Sequence, residues 1–100
     1  MVPLIQSSLY LNKKAGYRLK IILYDKANCP KCRFTEQRLK FPYTTIRVDP
    51  MNDEATMNSF REQGFQSFPV VYVYQDNKII DKWCDLNLKK INQYNQNVGD

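Results

Sequence analysis

An α/β domain, a mixed four-stranded sheet flanked by helices, is what this sequence predicts. Three observations predict it. Short runs rich in β-branched and aromatic residues alternate with polar, helix-forming stretches. A Cys29-Pro30-Lys31-Cys32 tetrapeptide stands at the first junction of such a run with such a stretch. Near the C-terminus two strand-like runs are joined by the turn dipeptide Asp76-Asn77. The order β-α-β-α-β-β-α makes the first two strands parallel and the last two an antiparallel hairpin, with helices on both faces. One hundred residues, 43% apolar and 13% aromatic, suffice for one domain with a modest core.

Residues 1–19 read as an N-terminal extension and residues 20–100 as the domain proper. In the extension, Leu9-Tyr10-Leu11, a turn over Asn12 to Gly16, and the run from Tyr17 to Tyr24 can form a hairpin that adds an edge strand; a loose tail is the alternative. The first strand of the domain is expected over Lys20 to Tyr24. A helix follows from Pro30 to about Lys40, stopped ahead of Phe41-Pro42 because a residue before proline disfavours helix, with Phe34 and Leu39 facing the core. Tyr43 to Val48 carries β-branched Thr44, Thr45, Ile46 and Val48 and reads as the second strand. Asn52 is the expected N-cap of a second helix, with Asp53 and Glu54 complementing its dipole and Gly64 ending it. Its buried stripe is expected at Ala55 or Thr56, Met57 and Phe60. Phe68 to Tyr74 and Ile79 to Trp83 are the hairpin strands. A short helix from about Leu86 to Tyr94, capped by Asp85 or Asn87, completes the chain.

The chemistry is carried by the tetrapeptide. With Cys29 as N-cap, Pro30 falls at the first helical position, where its missing N–H costs nothing. Cys32 then lies one turn inside. Unpaired N–H groups and the positive end of the helix dipole favour a thiolate on Cys29, and Lys31 and Arg33 push the same way. Such a sulfur attacks a partner's disulfide, and Cys32 resolves the mixed disulfide. A zinc site is the first alternative, but zinc takes four ligands, and here there is no histidine and one further cysteine, Cys84. A merely structural disulfide is the second, and so small a ring stabilises little.

Nine of the fifteen basic residues, against two acids, fall between Lys13 and Lys40 in a chain of net charge +5. No nucleic-acid-binding motif accompanies that charge. It serves solubility, or a field around Cys29 that attracts acidic partners. No apolar run approaches membrane-span length, and Met1 to Leu11 lacks the pattern of a secretory leader. An odd cysteine count fits a reducing cytosol and a catalytic pair, so a cytoplasmic protein is expected; the chain is read as a monomer. Pro69 reads as a strand-opening proline. Cys84 reads as a half-buried small residue rather than a third redox group. Trp83 is either core or an exposed docking platform.

The strand–helix order, with C-P-x-C after the first strand and a proline opening the third, resembles the thioredoxin fold in its small glutaredoxin form, over about residues 20–95. Within that family the resemblance is to NrdH-type redoxins. Gln63 to Val71 is similar to the stretch that carries their cis-proline, and Trp83 stands where their tryptophan opens W-S-G-F. Trp83-Cys84-Asp85-Leu86 departs from that pattern and is similar to the G-G-C-D-D of glutathione-dependent glutaredoxins, with Lys82 and Trp83 in place of the glycines and Leu86 in place of the second acid. The resemblance implies a thiol–disulfide oxidoreductase with catalytic Cys29 and Cys32 and a cis bond at Pro69. Lys26, Pro30, Lys31, Arg33, Phe68, Pro69, Trp83 and Asp85 would meet the substrate or partner. It also implies electrons from thioredoxin reductase and NADPH, or from glutathione, no bound cofactor or metal, and ribonucleotide reductase or another disulfide-containing protein as target. The rival activity is a glutathione-dependent glutaredoxin; a non-enzymatic metal- or protein-binding module is the rival from another class.

Overall fold

The computed structural model describes residues 10–12 and 17–96. In chain order its elements are β1 (Tyr10–Asn12), β2 (Tyr17–Asp25), α1 (Pro30–Arg38), β3 (Tyr43–Arg47), α2 (Glu54–Glu62), β4 (Val70–Gln75), β5 (Lys78–Cys84) and α3 (Leu88–Asn95). The expected β-α-β-α-β-β-α order is present, preceded by one short strand.

β2 is the spine. Its Leu19, Ile21 and Leu23 alternate into the core at 3%, 0% and 0% exposure. β4 pairs antiparallel along one edge, Leu19 opposite Gln75 through Tyr24 opposite Val70. The other edge is shared end to end. β1 pairs antiparallel with its first residues, Tyr10 opposite Leu19, and β3 pairs parallel with its last, Ile21 opposite Tyr43. β5 closes the far side against β4. The N-terminal hairpin therefore exists as a pair of strands, while residues 13–16 of its expected turn lie outside the described residues.

The sheet has a core on each face. On one, Ile21, Leu23, Val71, Val73 and Trp83 meet Leu39 and Phe41 from the end of α1 and Ile91 and Tyr94 of α3. On the other, Val70 and Tyr72 meet Phe60 of α2, Phe68 and the two motif cysteines. Asn95 fastens α3 to the end of α1: its amide donates to Arg38 O at 2.9 Å, and its Oδ1 accepts from Lys40 N–H at 2.6 Å.

Local chemistry sets the boundaries. Asp76 and Asn77 take φ of 50° and 72°, the left-handed pair of a tight hairpin turn that Asp and Asn tolerate. Gly64, at φ 84°, ends α2. Asn87 caps α3 by accepting from Lys90 N–H at 3.1 Å, so that helix starts after Asn87 rather than at Leu86. Asp53, not Asn52, stands at the N-cap of α2, because the Asn52 side chain is spent donating to Asp49 at 2.6 Å. Ala55 is exposed, and the buried residue of that helix is Phe60.

Phe34 overturns an expectation. It is 43% exposed and lies under the Arg38 guanidinium, 4.0 Å from its ring centroid. Cys32 occupies the buried face of α1, and a residue two positions on lies about 200° around the helix. Thr35, 0% exposed, takes the inward place instead, its hydroxyl donating to Lys31 O at 2.9 Å.

Candidate active site

Cys29 ends the loop after β2 and caps α1. Its φ and ψ of −117° and 98° are extended, and Pro30 opens the helix behind it. Its sulfur accepts the Cys32 backbone N–H at 3.2 Å. The two sulfurs form a disulfide, with Cα atoms 5.2 Å apart. Cys32 is 1% exposed and Cys29 6%, so the site opens to solvent on the Cys29 side. Asn28, immediately before, sits at φ 56°, a left-handed turn that brings the chain round into the helix.

A shallow cleft of about 240 Å³ runs past the disulfide. Lys26, Asn28, Cys29 and Lys31 form one wall and Gln66 to Phe68 the other. The Phe68–Pro69 peptide bond is cis. Lys26 Nζ lies 5.4 Å from the centre of the Phe68 ring. Lys31 Nζ bonds Asp85 Oδ1 at 2.8 Å. Asp85, held at φ 73°, also accepts from Leu86 N–H at 2.7 Å, and its own N–H donates to Pro69 O at 2.9 Å. Lys31, then Leu86 N–H and Ser67, keep the Asp85 carboxyl below its ordinary value.

The fold thus brings together Cys29, Cys32, Lys26, Pro30, Lys31, Phe68, Pro69 and Asp85. Arg33 follows them on α1, exposed, its backbone N–H bonded to Cys29 O at 3.1 Å. Trp83 is not available as a docking platform. It is 6% exposed and stacked on Tyr94, ring centres 5.9 Å apart and 13° from parallel. Strand parity decides this: Trp83 pairs with inward-facing Val71, whereas its neighbour Cys84 pairs with Val70 and faces the other core. Cys84 is a half-buried free thiol.

Between the end of β2 and α1 lies a carboxyl pair that motif reading misses. Asp25, last residue of β2 and 4% exposed, accepts from Arg47 Nε at 2.7 Å and from Arg47 Nη2 at 3.4 Å. Glu36, one turn beyond Cys32 on α1, turns its carboxyl toward Asp25, and its Oε2 is buried without a partner among the described residues. Burial first, then the Asp25 carboxylate, push Glu36 up to about 7. Burial raises Asp25 as well, but hydrogen bonds from Arg47 and Glu36 outweigh it and hold Asp25 below its ordinary value. One signal could have found Asp25: it continues the inward parity of Leu19, Ile21 and Leu23.

The fold and this junction define a class, a thioredoxin-fold protein with a C-x-x-C disulfide at the N-terminus of its first helix. No protein-family model matches the sequence, and no curated protein matches it. Solved structures do. NrdH-redoxin of Escherichia coli superposes with a TM-score of 0.55 at 22% identity, covering 73% of this chain and 91% of that one. Spinach chloroplast thioredoxin f superposes at 0.54 and 13% identity, covering 88% and 83%. The glutaredoxin of Archaeoglobus fulgidus superposes at 0.52 and 18% identity, covering 76% and 85%. These likenesses establish the thioredoxin-like fold. No helix among the described residues is long and apolar enough to cross a membrane. Nor do those residues hold a cluster of three or more His, Cys, Asp or Glu fit for a metal ion.

Proposed function

We propose that the protein is a thiol–disulfide oxidoreductase that reduces disulfides in other proteins. The Cys29 sulfur at the head of α1, receiving the Cys32 N–H at 3.2 Å beside an open cleft, is the observation that carries this reading. In the reduced protein the same N–H and the helix dipole favour a Cys29 thiolate. That thiolate attacks one sulfur of the target disulfide, forms a mixed disulfide and expels the other target sulfur as a thiolate. Cys32 gives up its proton and attacks Cys29, closing the internal disulfide and releasing the second target thiolate. Two electrons pass to the target, and an external dithiol or two monothiols restore them. Phe68-Pro69 supplies backbone against which the target chain lies, while Lys26, Lys31 and Arg33 supply positive charge. Asp85 holds Lys31 at the cleft.

For the electron donor the reading is a protein reductase fed by NADPH, of the thioredoxin reductase kind, and the targets include a ribonucleotide reductase. The Gln63 to Val71 segment supports this, as does likeness in fold to a glutaredoxin-like protein described as having a thioredoxin-like activity profile. Glutathione is the second reading, favoured by the basic cleft and by Asp85 beside it. Oxidised protein offered NADPH with thioredoxin reductase, or with glutathione and glutathione reductase, separates the two. The first pair is expected to reduce it at least about tenfold faster, roughly 1.4 kcal/mol in barrier. Equal or faster turnover with glutathione would reverse the assignment.

A further inference from the structure

The cleft beside the disulfide is lined by two cations, Lys26 and Lys31, and the protein engages both itself. Lys26 Nζ stands over the Phe68 ring, 5.4 Å from its centre. Lys31 Nζ lies 2.8 Å from Asp85 Oδ1. The aspartate is fixed in place by its backbone. Asp85 N–H donates to Pro69 O at 2.9 Å, and its Oδ1 also accepts from Leu86 N–H at 2.7 Å. Its φ of 73° is a left-handed conformation that glycine takes most easily, so an aspartate is held there against a backbone cost. What it adds over glycine at that position is a carboxylate at Lys31. Both side chains are about half exposed, 53% and 43%, so the pair is open to exchange with an incoming charge. An anion entering the cleft meets Lys31 already neutralised, and has to displace the Asp85 carboxylate or approach a like charge.

We infer that the Lys31–Asp85 ion pair is a charge latch on substrate choice: it withholds Lys31 from small anionic thiols, glutathione among them, and leaves the site to partners recognised through neutral groups and backbone. The inference rests on the disulfide-exchange reading above and adds the charge class of thiol that the cleft turns away. Asp85 is a positioning residue in this scheme, because it acts on the incoming thiol through Lys31.

The test is the rate at which small monothiols reduce the Cys29–Cys32 disulfide: anionic 3-mercaptopropionate, cationic cysteamine and neutral 2-mercaptoethanol. One thiolate attacks Cys29, the Cys29–Cys32 bond breaks, and Cys32 leaves as a thiolate that takes up a proton. A second thiolate attacks the mixed disulfide and releases Cys29 with the oxidised small disulfide, so two thiols supply the two electrons. Comparing variants cancels the intrinsic reactivity of each thiol, and the 2-mercaptoethanol rate scales each variant. Asp85→Asn is expected to raise the ratio of anionic to cationic rates at least about threefold at low salt, and salt at about 1 M to erase the gain. Asp85→Gly, which suits the left-handed backbone, is expected to give the same rise and serves if the asparagine variant fails to fold. Glutathione is expected to gain with 3-mercaptopropionate. Lys31→Gln is expected to lower the ratio more in the Asp85→Asn background than in wild type, because only there is the ammonium free. An unchanged ratio in both Asp85 variants would overturn the inference, as would an equal effect of Lys31→Gln in the two backgrounds. Either result leaves the exchange reading intact so long as the reduced wild type still reduces the disulfides of insulin. A reduced wild type that passes no electrons to insulin would overturn the exchange reading instead.

Discussion

The sulfur of Cys29 caps the helix that Cys32 belongs to: the Cys32 backbone N–H points at it from 3.2 Å. A helix N-terminus offers its unpaired N–H groups to whatever anion stands there, so the cap and the nucleophile are one atom. In the reduced protein Cys29 is therefore expected to titrate well below the free-thiol value of about 8.5. Iodoacetamide labelling followed against pH should show one fast cysteine at neutral pH. A fast Cys84 with a slow Cys29 would remove the proposed nucleophile.

Burial makes the two cysteines unequal, Cys32 being 1% exposed. Cys32→Ser should accumulate mixed disulfides with target proteins, because the first attack survives and the resolving step is lost. Cys29→Ser should accumulate none. Mass spectrometry of trapped species reads the result, and equal trapping by both variants would contradict the order of attack.

Glu36 and Asp25 make stability depend on pH in opposite directions. Asp25 lies below its ordinary value when folded, so its contribution is present above about pH 4 and lost as pH falls through the folded value. Glu36 moves from 4.5 up to about 7, so the folded protein holds a proton that the unfolded chain has released, and stability falls as pH rises from 4.5 to 7. Glu36→Gln removes that loss. It should be more stable than wild type at pH 8, by roughly 1–3 kcal/mol, and nearly equal to it at pH 4.5. Urea midpoints at both values check this; a variant less stable at pH 8 would refute it.

Asn95 holds α1 to α3 through two hydrogen bonds, to Arg38 O and from Lys40 N–H. Asn95→Ala should cost about 1–2 kcal/mol and lower the melting temperature by roughly 4–16 °C. An unchanged melting curve would show that water replaces the amide at no cost.

Trp83 lies in the core, with its Nε1 unpartnered among the described residues. Trp83→Ala should cost about 3–5 kcal/mol, the scale of a large-to-small core change. Trp83→Phe gives up no hydrogen bond to those residues and should cost much less. Neither should discriminate between electron donors once stability is allowed for. A donor-specific loss in Trp83→Phe would return Trp83 to the contact surface.

Local chemistry made the motif legible. Cys29 as cap with Pro30 behind it, Gly64 as a stop, Asp76-Asn77 as a hairpin turn and Asn87 as a cap are each decided within a few residues. What was not legible depends on partners distant in sequence. Phe34 was expected inward for its hydrophobicity, but Cys32 had already claimed that face of α1. The orientation of Trp83 follows from its pairing with Val71. Asp25 finds Arg47 only because β3 lies alongside β2, with those two residues opposite each other at the end of the pairing. The cleft takes its second wall from the Gln66 to Phe68 bend, a juxtaposition made by the closed fold.

β1 and β3 divide one edge of β2 between them, and β4 covers the other. β2 is thereby sealed from any foreign strand seeking backbone partners. The sheet's margins are left to β1, β3 and β5. On β5, Ile80 stands unpaired at the register shift between Val73 and Tyr74, between lysines 78 and 82. A bulge and charged side chains on an outer strand hinder the long flat pairing from which fibrils grow. Deleting β1 would uncover the backbone of residues 17–19 of β2, and the shortened chain is expected to associate more readily than the full one, which light scattering would read.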